Sequence, residues 1–375
     1  MSNRIYLDHA ATTPLLPEAR EAMLPWLRDG YGNPSSLHED GRRAKDAIDR
    51  AREVISDSLG CLFAEVLFTS GGTEAANLAV VGSALSSSDI KRKRILIGAA
   101  EHHCVLHTEG ILCRLGYLIE YVPVDRNARI DLGALESMLG DDVLLVSVMH
   151  ANNETGTIQP VREVSELCLR VGALYHCDAV QTFLTGWKVE ELDADLVSIS
   201  AHKVNGPKGV GAIYIRAGIK LQPLAVGGGQ EREVRAGTEN VAGIAGFGAA
   251  VAKHALKPDV STLRDAFLSA LEGAVPTVTD KDLILGGHAH LRFPGIDAET
   301  MLIRLDRMGI SASSGAACSS GSLEPSHVLL ACGYSEAEAK EGLRFTFGWP
   351  NTMEDAIEAA RRVNQCVAEI RSTRN

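Results

Sequence analysis

Apolar positions recur every three or four residues along an early stretch of the chain and predict a long amphipathic helix over residues 42–59. The positions that share its apolar face are Ala44, Ile48, Ala51, Ile55 and Leu59. Gly60 follows directly, and glycine is the residue that most often ends a helix. We therefore expect this helix to pack one face against a core.

Short, nearly continuous apolar runs then alternate with helical segments. The runs read EVLFTS, RILIGAA, VLLVSVMH, ALYHCDAV and DLVSIS, and the helical segments include GTEAANLAVVGSAL, DLGALESML and VREVSELCLRVG. This alternation predicts an α/β fold with a largely parallel sheet that is buried on both faces. An earlier run at residues 5–7 predicts a short strand followed by a loop.

The pattern changes near residue 250, where charged helical segments become prominent. The last helix is predicted from Thr352 onward, because the sequence TMED offers a capping box. Its predicted apolar stripe consists of Met353, Ile357, Ala360, Val363 and Val367. We therefore predict a large α/β domain over residues 12–255 and a smaller α+β domain built from residues 1–11 and 256–375.

Length and charge narrow the function classes. A chain of 375 residues suits two domains, and a net charge of −11 argues against a general nucleic-acid or membrane-surface binder. No run approaches about 20 apolar residues, so no membrane-spanning helix is expected. The opening segment MSNRIYLDHAATTP has no signal-peptide pattern.

The cysteine pattern favours reduced thiols over a disulfide framework. The eight cysteines, at positions 61, 104, 113, 168, 177, 318, 332 and 366, are scattered along a long chain. Such spacing is typical of proteins in a reducing compartment, so we expect a cytoplasmic location.

Polar residues follow several predicted strands, at the sheet edge where α/β enzymes bind ligands. In FTSGGTEAANLA, Gly71, Gly72 and Thr73 lie at the start of a helix. Free backbone N–H groups there suit a phosphate, although a plain strand-to-helix turn has the same composition. The spacing fits neither the Walker A pattern nor the dinucleotide glycine pattern.

The segment AEHHCVLH allows two interpretations. Glu101, His102, Cys104 and His107 are metal-ligand types. Adjacent rings at a strand end rarely converge on one ion, so we predict no metal here. A single histidine that stacks on a ligand or exchanges protons with it explains the segment as well.

Two further strand ends carry amides and an acid. Asn152 and Asn153 in VSVMHANNETG are hydrogen-bond donors for a ligand oxygen or parts of an ordinary turn. YHCDAVQT ends an apolar strand with Asp178 and Gln181. A carboxylate at such a position needs a partner, because an unpaired buried charge is costly.

Lys203 in SISAHKVNGPKGVG is unusual at the end of an apolar strand. A desolvated amine loses its proton more readily and forms imines. Together the strand ends offer a phosphate site, an acid for a ring nitrogen, an amide for a phenolic oxygen, a ring for stacking and an amine. Pyridoxal 5′-phosphate (PLP) uses all five, and a lysine imine with an aspartate partner is its recurring signature.

The sequence resembles the cysteine desulfurases of the NifS/IscS type, which belong to the class V aminotransferase group of fold-type I PLP enzymes. The motifs that carry the resemblance are YLDHAATTP, GNPSSLH, FTSGGTEAANLA, EHHCVL, MHANNETG, HCDAVQ, SISAHKVNGPKGVGAIYIR, RAGTENV, SSGAACSSGSLEPSHVL and LRFTFG. They cover nearly the whole chain in the family's order. The resemblance implies a large domain with a mainly parallel mixed sheet between helices, plus the smaller α+β domain.

The resemblance also implies a role for each matching residue. Lys203 would bind PLP as an imine, Asp178 would pair with the pyridine nitrogen, Gln181 would contact the ring hydroxyl, and His102 would stack on the ring and move protons. The phosphate would be held by Gly72, Thr73, Ser200 and His202. Thr238 would reach the phosphate of a neighbouring subunit, which implies a homodimer with composite sites.

The implied reaction converts L-cysteine into L-alanine. Asn153 and Arg344 would hold the substrate carboxylate, and Cys318 would attack the substrate sulfur as a thiolate and become a persulfide. Cys318 lies in a Ser- and Gly-rich loop at about residues 312–325, within the smaller domain. The sulfur would pass to an acceptor such as an iron–sulfur scaffold, or to other sulfur-cofactor or tRNA-thiolation pathways.

Alternatives to this function stay open. A related PLP enzyme, such as a selenocysteine lyase or an aminotransferase-like protein, would not need Cys318, and a non-catalytic metal-binding protein would use EHHCVLH. The sequence also departs from the family pattern at Ala201, where relatives often have glycine, and at Trp349, where many carry arginine. The chain ends at Asn375, without the C-terminal extension that helps some relatives dock their scaffold.

Overall fold

A computed structural model describes residues 4–253, 260–315 and 324–373 of the chain. The strands are β1 (Ile5–Tyr6), β2 (Val66–Thr69), β3 (Arg94–Gly98), β4 (Leu118–Val122), β5 (Val143–Ser147), β6 (Leu174–Asp178), β7 (Leu196–Ser200), β8 (Gly211–Ile215), β9 (Val275–Pro276), β10 (His288–Arg292), β11 (Ile310–Ser311) and β12 (Gly342–Thr346).

The α-helices are α1 (Pro17–Arg28), α2 (Glu39–Leu59), α3 (Gly72–Ser86), α4 (His103–Leu106), α5 (Glu109–Arg114), α6 (Leu132–Met138), α7 (Val161–Val171), α8 (Val189–Leu192), α9 (Val241–Lys253), α10 (Ser261–Ser269), α11 (Ala298–Arg307), α12 (His327–Ala331), α13 (Glu336–Ala339) and α14 (Met353–Ser372). Short 3-10 turns span Phe63–Glu65, Ala201–Lys203, Gln230–Glu233 and Lys281–Leu283.

The central sheet has seven strands in the order β2-β8-β7-β6-β5-β3-β4. Its pairs are parallel except for the two made by β8, which is antiparallel to both β2 and β7. Strands β2, β5, β7 and β8 are buried along their whole length. The predicted α/β architecture with a mainly parallel, doubly covered sheet is confirmed.

The core divides around this sheet and a second, smaller one. Two large apolar clusters draw on residues 48–251 and 67–221. A third combines Ile5 and Leu7 with residues 263–370, around the three-stranded sheet β12-β10-β9. This third cluster joins the two ends of the chain. The domain boundaries given above stay a prediction.

The helix predictions hold in one case and need correction in another. Helix α2 begins three residues before its predicted start and ends at Gly60, which has the left-handed conformation (φ 70°) that glycine adopts readily. Helix α14 begins after Thr352, as predicted. Its predicted stripe is wrong at Met353 and Ile357, which are 44% and 55% exposed.

The reason for the error is a rotation of the buried face of α14. The residues of α14 that are buried are Ala356, Ala359, Ala360, Val363, Cys366, Val367 and Ile370. Three alanines in the first turns let α14 pack closely, mainly against α10 and α11. The buried face of α14 is therefore centred on small residues, and a pattern based on large apolar side chains does not identify it. In the part of the chain that the structure describes, no helix is long and apolar enough to cross a membrane.

Candidate active site

A cavity of about 270 Å³ opens where polar residues follow the strands of the central sheet. Ten of the predicted site residues line it: Gly72, Thr73, His102, Asn153, Asp178, Gln181, Ser200, His202, Lys203 and Arg344. Because β2, β3, β5, β6 and β7 run in the same direction, the segments that follow them meet at one edge. The fold thus brings residues from Gly72 to Arg344 into one site.

Lys203 lies in the 3-10 turn that directly follows β7. Its Nζ donates hydrogen bonds to the carbonyl oxygens of Ala10 and, at 2.9 Å, Ala11. Gln181 donates to the same Ala10 carbonyl at 3.1 Å. The amine is therefore held inside the cavity by backbone carbonyls of the N-terminal segment.

Asp178 ends β6 and is 7% exposed. Burial raises the pKa of its carboxyl, while hydrogen bonds from the Val180 N–H and Ser198 and the charge of Lys203 lower that pKa. The Val180 bond, to Oδ1, is 3.0 Å long. A cationic N–H partner in the cavity would favour the charged carboxylate, because opposite charge offsets desolvation.

One end of the cavity suits a phosphate. Gly72 and Thr73 form the first turn of α3, whose N–H groups lack helical partners. Ser200 is fully buried, and its Oγ has no hydrogen-bond partner among the described residues. Gly72 also has to be small, because a Cβ there would lie 2.7 Å from Val180 Cγ2. An unsatisfied buried hydroxyl beside free N–H groups fits an anionic group of phosphate size.

Both site histidines are neutral near pH 7. Burial, aided by the nearby positive charge of Lys203, lowers the pKa of His102 and of His202 to about 4. His102 Nδ1 accepts a hydrogen bond from the Cys104 N–H at 3.1 Å, which places the ring proton on Nε2. His202 Nδ1 lies 3.2 Å from Thr12 Oγ1.

Arg344 also lines the cavity and is 3% exposed. Its guanidinium donates to the Asn153 carbonyl oxygen and to Asp8 Oδ1, both at 2.8 Å. The buried Nε has no partner among the described residues. The sequence reasoning missed Asp8 as a partner of Arg344, although this residue sits in the quoted motif YLDHAATTP.

The two adjacent asparagines differ in role. Asn153 lines the cavity, whereas Asn152 is fully buried and does not. The Asn152 amide donates to the Ala100 carbonyl and accepts from the N–H groups of Glu154 and Thr155, all at 2.9 Å. Of the two interpretations left open for these amides, the ordinary turn applies to Asn152, whose polar groups hold the turn.

The remaining predicted residues lie elsewhere. Thr238 is exposed and does not line the cavity of its own chain. Cys318 and most of the predicted loop lie outside the described residues, but Gly315, three positions earlier, lines the cavity. Among the described residues, no group of three or more metal-ligating side chains is placed to hold an ion.

Known proteins resemble this chain over nearly its full length. The Aminotransferase class-V family model matches residues 5–358. "Cysteine desulfurase IscS" of Dictyoglomus turgidum is 45% identical over 95% of this chain and 92% of its own length. "Cysteine desulfurase NifS" of Azotobacter vinelandii is 40% identical over 98% of this chain and 94% of its own length.

Solved structures resemble the fold as closely. A "NifS-like protein" superposes with a TM-score of 0.91 at 35% identity, over 98% of this chain and 100% of its own. A second structure, "SspA in complex with cysteine", gives 0.83 at 32% identity, over 92% of this chain and 98% of its own.

Proposed function

This chain belongs to the class-V aminotransferase family and is a PLP-dependent cysteine desulfurase, and from that premise we propose how its own residues carry out the reaction. The substrate is L-cysteine, consistent with the cysteine complex of a similar structure. The products are L-alanine and a persulfide on Cys318.

The observation that carries this proposal is the convergence of Lys203, Asp178 and Ser200 on one cavity. An amine, a buried acid and an unsatisfied buried hydroxyl match the aldehyde, the ring nitrogen and the phosphate of PLP. Gly72, Thr73 and His202 would complete the phosphate site, and Gln181 would contact the ring hydroxyl. When bound, PLP supplies an electron-withdrawing ring that weakens bonds at the Cα of an attached amino acid.

Asp178 and His102 act on protons. The Asp178 carboxylate would hold a proton on the ring nitrogen, and that N–H in turn would stabilise the carboxylate in its buried position. His102, neutral and with its Nε2 proton, would stack on the ring and exchange protons with the substrate. Lys203, whose amine lies in the cavity, would take the Cα proton of the substrate.

Arg344 and Asn153 select an amino acid by its carboxylate. The guanidinium offers Nε and further N–H groups to a bidentate partner. Asp8 holds the guanidinium in place and neutralises part of its charge before the substrate arrives. The substrate carboxylate would therefore enter beside an arginine that is already positioned.

Cys318 takes the sulfur. Its thiolate would attack the substrate sulfur and form an S–S bond, while the Cβ–S bond breaks and leaves its electron pair on carbon. That carbon then accepts a proton and the skeleton leaves as alanine, so no outside oxidant is needed. Gly315 lines the cavity, and three residues span at most about 10 Å, so the length of chain from Gly315 allows Cys318 to take this role.

The protein is further proposed to be a homodimer. Thr238 is exposed on its own chain, as a residue that reaches a neighbouring subunit's phosphate must be. Large apolar side chains also lie exposed, among them Leu27 (64%), Tyr31 (87%), Leu37 (89%) and Val226 (82%). Burying such residues against a second copy would lower their free energy.

The sulfur acceptor is proposed to be a partner protein such as an iron–sulfur scaffold, in the cytoplasm. The seven cysteines among the described residues are all free thiols, which suits a reducing compartment.

The test is alanine formation from L-cysteine by the purified PLP-loaded protein. Lys203→Ala should abolish both the visible absorbance of the bound cofactor and alanine formation. Lys45→Ala, which changes an exposed lysine on α2, should alter neither. Alanine formation at the wild-type rate by Lys203→Ala would refute the assignment.

A further inference from the structure

The carboxylate of Glu154 lies between the two described ends of the segment that carries Cys318. Glu154 follows β5, is 1% exposed and belongs to the turn held by Asn152. Nothing in the reaction outlined above uses this side chain. A buried carboxylate without a catalytic task needs another reason to be there.

The first end of the segment, Gly315, lies directly under this carboxylate. A Cβ on Gly315 would be 1.9 Å from Glu154 Oε2 and 2.3 Å from its Cδ. A methyl group at residue 315 would require the Glu154 carboxylate to move, so the backbone there lies directly against this carboxylate. Gly315 at the same time lines the active-site cavity.

The second end, Ser326, is bonded to the same oxygen. Ser326 Oγ donates to Glu154 Oε2 at 2.5 Å and accepts from the Leu329 N–H at 3.2 Å, which caps helix α12. Ser326 is 5% exposed. One carboxylate oxygen therefore contacts both ends of the segment, 11 residues apart in sequence.

The Glu154 side chain is not needed to hold its own turn. The N–H groups of Glu154 and Thr155 bond to Asn152 Oδ1, and the Asn152 amide bonds to Ala100. These contacts involve the backbone at residue 154 and not its carboxylate. Shortening the side chain should therefore leave Asn153 in place beside Arg344.

We infer that Glu154 is a positioning residue for the cysteine-bearing segment, because its carboxylate contacts both Gly315, which lines the active-site cavity, and Ser326. The inference rests on the proposed function, since it assigns Glu154 to the sulfur-transfer step and not to cofactor or substrate binding. Losing the contact should misplace Cys318 relative to the substrate sulfur, and displacements of about 1 Å can cost on the order of 100-fold in rate.

The test separates binding from sulfur transfer in the PLP-loaded enzyme. Glu154→Ala should slow single-turnover persulfide formation by about 10- to 100-fold. The cofactor absorbance should stay within about twofold, and cysteine should not bind more weakly, because the charge of Arg344 acts on the Glu154 carboxyl as it does on Asp8. Glu154→Gln, which keeps the size and an acceptor oxygen for Ser326, should recover most of the rate.

A double-mutant cycle guards against general damage to the fold. Gly315→Ala should slow persulfide formation in the wild-type background and have a smaller effect in Glu154→Ala, because the methyl group then has space. Gly110→Ala is the control, since nothing lies within 4 Å of a Cβ added there. Additive effects of the two changes would overturn the contact's role.

The outcomes distinguish this inference from the function it rests on. A wild-type enzyme that makes no alanine would refute the proposed function. An active wild type with an unaffected Glu154→Ala, or with cysteine binding and persulfide formation reduced together, would refute the role of Glu154 alone.

Discussion

At the scale of single residues, the site depends on charges whose partners come from distant parts of the chain. Asp8 and Arg344 form an ion pair at 2.8 Å although 336 positions separate them, and their side chains are 21% and 4% exposed. A buried guanidinium without a partner would be costly. The pair therefore keeps the Arg344 guanidinium in position before substrate binds.

Arg344→Lys should raise the half-saturating concentration of cysteine by about 10- to 100-fold. A lysine ammonium is a point charge and cannot reproduce the planar fork that grips a carboxylate. Cysteine titration followed by the cofactor's absorbance measures the shift. An unchanged half-saturating concentration would show that Arg344 does not bind the substrate carboxylate.

Asp8→Asn should move the same concentration in the opposite direction. The amide still accepts a hydrogen bond from Arg344 but no longer repels the substrate carboxylate, so cysteine should bind roughly severalfold more tightly. The same titration checks this prediction. Weaker binding in Asp8→Asn would mean that the aspartate charge positions Arg344 more than it competes with substrate.

At the scale of elements, the sequence predicted those features that depend on residues close together in the chain. The apolar repeat and Gly60 predicted α2, and the polar residues after the strands predicted a ligand site at one sheet edge. Lys203 and Asp178 could be assigned to one site because PLP binds both a lysine amine and an acid at its ring nitrogen. These inferences required only the spacing of apolar residues along the sequence and the chemistry of the side chains.

Contacts between distant segments were beyond sequence reasoning. The bond from Ser326 to Glu154 spans 172 positions, and no local pattern in ANNETG or SLEPSH indicates it. Likewise, adjacent Asn152 and Asn153 look equivalent until the fold turns one of them inward. The buried face of α14 was misplaced for a related reason, since alanines mark close helix packing only when the neighbouring helix is known.

The cap of α14 gives a prediction at this scale. Thr352 Oγ1 accepts from the Asp355 N–H at 3.2 Å, and the Asp355 carboxylate accepts from the Thr352 N–H at 2.9 Å. Thr352→Ala should lower the free energy of unfolding by about 1 kcal/mol, without changing cysteine saturation. Urea unfolding followed by circular dichroism measures this loss, and Thr352→Ser should restore stability. A loss of activity at unchanged stability would contradict a purely capping role.

At the scale of the whole molecule, buried neutral histidines link stability to pH. Burial lowers the pKa of His176, His288 and His290 from 6.5 to about 3. Between these values the unfolded chain binds protons that the folded chain does not, so these histidines cost stability as the pH falls below 6.5, whereas above pH 6.5 they are neutral in both states and their titration contributes nothing. Burial raises the pKa of Glu101 and of Glu154 above the usual value of 4.5. The folded chain therefore keeps protons on these carboxyls that the unfolded chain releases, so these two residues cost stability as the pH rises above 4.5.

The contribution of one histidine can be isolated from these opposing effects. His176 is fully buried between Ser147 and Ser198, and His176→Gln keeps a polar group there without the titration. Between pH 6.5 and 5.5, the variant should lose less unfolding free energy than wild type, by up to about 1.4 kcal/mol per pH unit. Denaturant unfolding at several pH values provides the measurement, and equal slopes would contradict a neutral buried His176.

The most direct test of the whole account is the location of sulfur after one turnover. The PLP-loaded protein is mixed with one equivalent of L-cysteine, alkylated and digested, and the peptide that contains Cys318 is weighed by mass spectrometry. The account predicts one additional sulfur atom on Cys318 for each alanine formed, and neither sulfur nor alanine at the wild-type rate in Cys318→Ser. Alanine formed in full while Cys318 gains no sulfur would contradict it.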